Sequence, residues 1–265
     1  MSTQGSYVTA GAFRQALETR LKQMVASTGE DIQRLRRQVA FDRLLSRVFS
    51  SGGKAWTLKG GYAMELWLSE ARTTRDIDLT LRSLAGAATT DSSASTLLRS
   101  ELLGLVRRDL GDWFEFEVAE ATLDIDAAPY GGARFPIVAR MDGRVFVRFH
   151  LDVGIGDVVL DPVEIATGKD WLGFAGIAPP ILRVLSKEQQ LAEKLHAYTL
   201  PNRPAPNSRV KDLVDLALLV QRLPLGPEML RKALDQTFSR RNSHPLPADL
   251  RTCPGDTVVD SAAVG

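Results

Sequence analysis

The sequence predicts an α+β fold: a small mixed sheet with flanking helices, followed by a helical C-terminal part. Three observations carry this. Through residues 31–49, Ile32, Leu35, Val39, Leu44, Leu45 and Val48 recur at helical spacing. Apolar and polar residues alternate through 76–81, and two further strand-like runs are joined by Asp142-Gly143, a hairpin signal. From Ser186 onward the helical period returns.

In chain order, 12–25 and 31–49 read as amphipathic helices, the second broken by Ser50-Ser51-Gly52-Gly53. Residues 55–58 form a short strand running into Lys59-Gly60-Gly61, and 62–68 a helix packed behind that turn. A polar connection, 72–75, leads to the strand 76–81. Residues 83–95, rich in Ala, Ser, Thr and Gly, read as loop, and 97–110 as helix. Residues 113–118, 134–141 and 144–153 are strand-like, and 154–180 reads as mostly loop. Residues 187–198, 210–223 and 227–239 read as helices. The domains expected are an α/β domain with N-terminal helices over 1–165, a helical domain over 166–241, and a loop or disordered tail over 242–265.

Composition narrows the class. At 265 residues the chain suffices for one large domain or two modest ones. No apolar run approaches ~20 residues, so no transmembrane helix is expected. Residues 1–10 are polar and lack the apolar core of a signal peptide. The lone Cys253 has no partner for an internal disulfide, and a cytoplasmic protein is the simplest reading. A net charge of +1 makes no case for nucleic acid by itself. Arg34-Leu35-Arg36-Arg37, Arg107-Arg108 and Arg240-Arg241 are either solvated helix faces or RNA contacts.

The chemistry is concentrated at Lys59-Gly60-Gly61, followed a helix's length later by Asp76-Ile77-Asp78. Glycine has no Cβ, so a Gly-Gly turn brings backbone N–H groups close to phosphate. Strand side chains alternate, so Asp76 and Asp78 point to one face. Magnesium takes hard oxygen ligands and keeps several waters, so two or three carboxylates suffice. Two such ions, about 4 Å apart, neutralise phosphates and hold an attacking oxygen in line. These residues therefore predict a site for a nucleoside triphosphate and two magnesium ions, the chemistry of nucleotidyl transfer. Asp152 shares the polar face of its strand with Arg148 and His150. It is a candidate third carboxylate, or an edge-strand Asp in a surface salt bridge. Asp124-Ile125-Asp126 is also Asp-x-Asp, but no Gly-Gly turn precedes it, and it reads as a strand end or loop.

A second cluster lies in the helical part. Lys187, Gln190 and Lys194 share a helix face. Arg209, Lys211, Asp212 and Asp215 form a polar stripe on a helix otherwise almost wholly apolar, so that helix is expected to be largely buried. The plain reading of the stripe is a Lys211–Asp215 pair worth ~0.3 kcal/mol. The functional one is a lysine, Lys194, for the triphosphate and an Asp, Asp212 or Asp215, that orients it or the attacking group. His150, His196 and His244 are too scattered for a zinc site, and His196 reads as a helix-surface residue. No Ser-His-Asp spacing, Walker loop or dinucleotide fingerprint occurs.

Three stretches carry a resemblance. They are Leu58-Lys59-Gly60-Gly61-Tyr62-Ala63-Met64, Arg72-Thr73-Thr74-Arg75-Asp76-Ile77-Asp78-Leu79, and Gln190-Leu191-Ala192-Glu193-Lys194-Leu195 followed by Arg209-Val210-Lys211-Asp212-Leu213-Val214-Asp215-Leu216. In this order they resemble the AbiEii/AbiGii family of nucleotidyltransferase toxins, in the DNA-polymerase-β-like nucleotidyltransferase superfamily, over residues 35–240. The resemblance implies a nucleotidyltransferase-like sheet and a helical domain that completes the active site. It implies magnesium at Asp76 and Asp78, and phosphate held by Gly60, Gly61 and Thr74, with Lys59 and Arg72 in the same motifs. Lys194 and Asp212 would complete the site. Such proteins are toxins of type IV toxin–antitoxin or phage-defence systems, with an antitoxin encoded nearby. Some similar mycobacterial toxins add pyrimidine nucleotides to the 3′ end of tRNA, so tRNA is the favoured acceptor. Relatives continue past Ser243-His244-Pro245-Leu246-Pro247 with an aromatic-rich segment, whereas 253–265 contains no aromatic residue.

Three other readings compete. One keeps the chemistry but moves the acceptor to a protein or small-molecule hydroxyl. Another is a non-catalytic nucleotide-binding module, which predicts a missing ligand. A metal-dependent nuclease would want Glu-x-Lys on a strand, whereas Glu193 directly precedes Lys194 on an expected helix.

Overall fold

Helix α1 (Ala10–Thr28) opens at Thr9, whose hydroxyl accepts from the Ala12 N–H at 3.2 Å, and closes at Gly29 in the left-handed region. Asp31 then caps α2 (Ile32–Phe49) by accepting from the Arg34 N–H at 2.8 Å. The structure, a computed structural model, describes residues 7–50, 56–68, 71–82, 93–124, 129, 131–201 and 210–248. The chain divides into two units, 1–185 and 186–265. The sequence readings that rest on 51–55, 83–92, Asp126, Arg209 and 249–265, including Cys253, lie outside the described residues.

After α2, the first unit continues with β1 (Trp56–Lys59), α3 (Gly60–Trp67) and β2 (Asp76–Leu81). Next come α4 (Ala94–Val106), β3 (Glu115–Val118), β4 (Leu123–Asp124), β5 (Gly132–Met141) and β6 (Arg144–Ile155). It ends with β7 (Glu164–Thr167) and β8 (Ile181–Val184). The strands form one mixed sheet in the order β3-β5-β6-β2-β1-β8-β7, with β4 pairing β5. The β2/β6 and β1/β8 pairs are parallel and the others antiparallel. Ile77, Leu79 and Leu81 on β2 are buried, as are Leu35, Val39, Leu44 and Val48 on α2. Phe41 of α2 meets the rings of Tyr62 and Phe149 edge-on at 5.0 and 4.9 Å, tying α2 to α3 and to β6. The apolar face of β2 is thereby anchored, while Asp76 and Asp78 on its other face are half-buried.

The sequence reads 154–180 as mostly loop, and most of it is, but the short strand β7 lies within it and β8 follows directly after it. β7 and β8 pair antiparallel, and β8 adds to β1 in parallel at Leu58↔Val184. β7 is the edge strand and Ile165 stands exposed, so its residues carry no buried alternation to read. Helix α4 begins earlier than expected, where Ser93 accepts from the Thr96 N–H at 3.2 Å, and stops at Val106.

The second unit holds α5 (Lys187–Thr199), α6 (Val210–Arg222) and α7 (Pro227–Arg241). Ser186 caps α5, Pro227 opens α7, and Asn242 closes it in the left-handed region. Helix α6 reverses the expectation that it is largely buried: Val210, Leu213 and Val220 are 64%, 48% and 62% exposed. Its buried residues are Asp215 and Leu219, because the polar stripe turns inward to an ion pair with α5. His196 is likewise buried rather than on a helix surface. Its Nε2 lies 2.8 Å from Ser243 Oγ and its ring packs edge-on against Phe238.

Candidate active site

β1 runs into α3 without a loop, and the junction is Lys59-Gly60-Gly61. Gly60 has φ +71, a conformation glycine adopts without strain. A Cβ there would collide with the Asp78 carboxylate. One on Gly61 would lie 2.8 Å from Thr74 Oγ1 and 3.8 Å from Arg72 Nη1. The two glycines thus let Asp78 and Thr74 close onto the turn. Lys59 gives α3 no side-chain cap, so the first-turn N–H groups must find other acceptors, as an anion at a helix start provides.

Cross-strand register assembles the rest. Lys59 pairs Asp78, Asp78 pairs Asp152, and Asp152 pairs Arg134, so one row crosses β1, β2, β6 and β5 with charges plus, minus, minus, plus. Asp76 pairs His150 in the parallel row. The Asp76 Oδ1 to His150 Nδ1 distance is 3.2 Å. Arg134 grips Asp152 with Nε and Nη2, both at 2.7 Å, and its Nη2 lies 3.9 Å from Asp76 Oδ2. The hydrogen bond to Asp152, aided by the charges of Asp152, Asp76 and Asp78 and opposed by burial, holds the Arg134 pKa above its usual value. Lys59 Nζ binds Asp157 Oδ2 at 2.5 Å. Asp152 therefore stands on the same face as Asp78 and is salt-bridged, but on an interior strand rather than at the edge where the plain sequence reading put it.

Glu65 holds the approach to β2. Its Oε1 accepts the Thr74 N–H at 2.6 Å, while Oε2 accepts from Gln38 Nε2 at 2.6 Å and Arg34 Nη2 at 3.3 Å. Thr74 Oγ1 donates to the Asp76 carbonyl at 3.2 Å. Sequence reasoning missed Glu65 and Arg134. A lone carboxylate on the otherwise apolar α3 is the signal that could have found Glu65. Behind α3, the Tyr62 hydroxyl donates to Asp42 Oδ1 at 2.6 Å and the Lys169 N–H to Oδ2 at 3.1 Å. Burial pushes the Asp42 carboxyl up to about 6 against the pull of these bonds.

In the helical unit, Lys194 Nζ lies 2.6 Å from Asp215 Oδ2 and 3.7 Å from Asp212 Oδ1. Lys194 is 9% exposed and Asp215 1%. Gln190 is buried, and Lys211 is exposed. Among the described residues no group of three or more His, Cys, Asp or Glu side chains is placed to hold a metal ion by itself. Asp76 and Asp78, hard oxygen donors on one half-buried face, suit a cation such as magnesium that takes its remaining ligands from water and phosphate.

A mixed sheet whose central strand sets Asp-x-Asp against a Gly-Gly helix start is the arrangement that the sequence motifs predict for a nucleotidyltransferase. The chain belongs to the AbiEii family: the model of the nucleotidyl transferase AbiEii toxin, type IV toxin–antitoxin system, matches residues 43–262. Among solved structures, the nucleotidyltransferase toxin MenT4 of Mycobacterium tuberculosis H37Rv superposes with TM-score 0.61 at 18% identity, over 87% of this chain and 75% of that one. JHP933 of Helicobacter pylori gives 0.44 at 15% identity over 72% and 67%. The antibiotic-resistance factor ANT(2″)-Ia gives 0.39 at 16% identity over 77% and 92%. No curated protein matches the chain. Family membership makes it a nucleotidyltransferase toxin, with a nucleoside triphosphate as substrate and an antitoxin as partner. Among the described residues no helix is long and apolar enough to cross a membrane.

Proposed function

We propose that the protein is a magnesium-dependent toxin that transfers a nucleoside monophosphate from a triphosphate to the 3′ end of tRNA. It would act in the cytoplasm, in a toxin–antitoxin or phage-defence setting. The observation that supports this most is the approach of Asp78 to Gly60, which joins a metal-ligand strand to a phosphate-receiving helix start. Asp76 and Asp78 hold the divalent ions, with Asp152 as the third carboxylate. Such ions supply charge neutralisation on the phosphates and activation of the attacking hydroxyl.

Gly60, Gly61 and the uncapped first turn of α3 receive phosphate oxygens, with Lys59, Arg72 and Thr74 shaping that turn. Lys194 neutralises the triphosphate, its ammonium oriented by Asp215 and Asp212, with Lys211 on the same helix as a further cation. The acceptor oxygen forms a bond to the α-phosphorus as the bond to the β-phosphate bridging oxygen breaks. Pyrophosphate departs, and the acceptor proton goes to solvent.

The test is incubation with magnesium, total tRNA and each nucleoside triphosphate radiolabelled at the α-phosphate, beside a folded Asp76→Ala control. Label on tRNA that the variant loses supports the proposal and names the nucleotide. Label on protein or a small molecule instead moves the acceptor, and full activity of Asp76→Ala removes the metal assignment.

A further inference from the structure

Asp78 and Asp152 face each other on parallel neighbouring strands, with Asp76 one row away. Adjacent strands lie about 4.8 Å apart, so these carboxylates repel one another unless a cation sits among them. Lys59 shares their row, and its ammonium binds Asp157. Arg134 places a second cation on this face, at Asp152. It is the register partner of Asp152 on β5, so the backbone delivers its guanidinium to that carboxylate. Both fork contacts are 2.7 Å, the geometry of a strong bidentate pair, and the same group reaches toward Asp76.

We propose that Arg134 sets how tightly this face binds a divalent cation, by occupying Asp152 and lending its charge to Asp76. The inference rests on the reading of Asp76 and Asp78 as metal ligands. Three carboxylates alone would present three negative charges, and Arg134 cancels one of them. Hard-cation affinity follows the number and charge of available oxygens. Asp152 becomes a ligand only by releasing the guanidinium, so binding at the Asp76/Asp78 face is held below what its three acids would otherwise give. Arg134 is thus a positioning residue that no sequence motif marks, placed by strand register.

Mn2+ binding to the full chain without nucleotide, followed by the paramagnetic resonance of free Mn2+, tests this apart from turnover. Arg134→Gln should bind Mn2+ on the order of tenfold more tightly, and adding Asp152→Asn should remove the gain. An affinity unchanged or weakened in Arg134→Gln, while Asp76→Asn still abolishes binding, overturns the role of Arg134 and leaves the metal site standing. Wild-type protein that binds no Mn2+, or binding indifferent to Asp76→Asn, overturns the metal reading and this inference with it. Should Arg134→Gln lose its cooperative unfolding transition, Arg134→Lys replaces it. An ammonium cannot hold both Asp152 oxygens as the fork does, so a severalfold tightening is expected, and an unchanged affinity overturns the proposal.

Discussion

The carboxylate of Asp78 occupies the space that a side chain on Gly60 would need. Strand β2 and the start of α3 therefore approach more closely than any other residue at position 60 permits. Gly60→Ala meets two penalties, a left-handed backbone that disfavours a Cβ by about 1–2 kcal/mol and displacement of Asp78. The variant should lose about 1–3 kcal/mol of stability and at least ~100-fold in turnover, because the displaced group is the proposed metal ligand. Urea unfolding and label transfer measure the two losses. A Gly60→Ala protein turning over at the wild-type rate would separate the turn from the chemistry.

Glu65 shows how the site is held from behind. Glu65→Ala leaves the Thr74 N–H and the Gln38 amide without their acceptor, a loss of about 1–3 kcal/mol. Thr74 leads directly into Asp76, so turnover should fall with stability. Glu65→Gln is the informative control. Its carbonyl still accepts from Thr74, and the Gln38 amide can turn over to offer oxygen, giving up its 3.5 Å contact with the Lys169 ammonium, while Arg34 loses its carboxylate. It should keep more than half of the stability that Glu65→Ala loses, read by thermal unfolding. Equal losses in the two variants would show that the charge of Glu65, rather than its acceptors, matters.

Those two cases mark what the sequence discloses. Strand β2 is legible over its full length because polar and apolar residues alternate along it, even though Thr80 on the polar face is itself buried. The Gly-Gly turn is legible because glycine has few other reasons to be doubled before a helix. Arg134 is not, because its place depends on how β5 and β6 align, and the pairing shifts at Ala139/Arg140. Edge strand β7 lacks a buried face. Helix α6 misleads for a different reason: periodicity separates an apolar face from a polar one without saying which turns inward. The ion pair of Asp215 with Lys194 decides that.

Asp42 gives the fold a pH dependence of definite sign. Its carboxyl is raised from 3.8 to about 6 by burial, so the folded protein keeps a proton there that the unfolded chain has already released. The contribution is fully present below about pH 4 and is lost as pH rises through about 6. Asp42→Asn cannot ionise. Relative to wild type, it should gain stability between pH 4 and 7 by about 2–3 kcal/mol, the equivalent of a shift of about two pH units. Urea unfolding of both proteins across that range tests it. A constant difference between them would mean that Asp42 titrates alike in the folded and unfolded chains.

Lys194 is a buried cation whose nearest carboxylate is Asp215, with Asp212 farther off and half-buried. Removing one member of such a pair strands the other, so Asp215→Ala should lower the stability of the chain by about 3–5 kcal/mol. Asp212→Ala should cost less than about 1 kcal/mol, since its contact is longer and wetter. Lys194→Ala with Asp215→Ala leaves no stranded charge and should recover part of the loss, a coupling of about 2–3 kcal/mol in a double-mutant cycle. Turnover separates structure from chemistry in the same set of proteins. The double variant should regain stability without regaining activity, because the charge proposed to meet the triphosphate is gone. Activity that returned with stability would make Lys194 a packing residue of the helical unit.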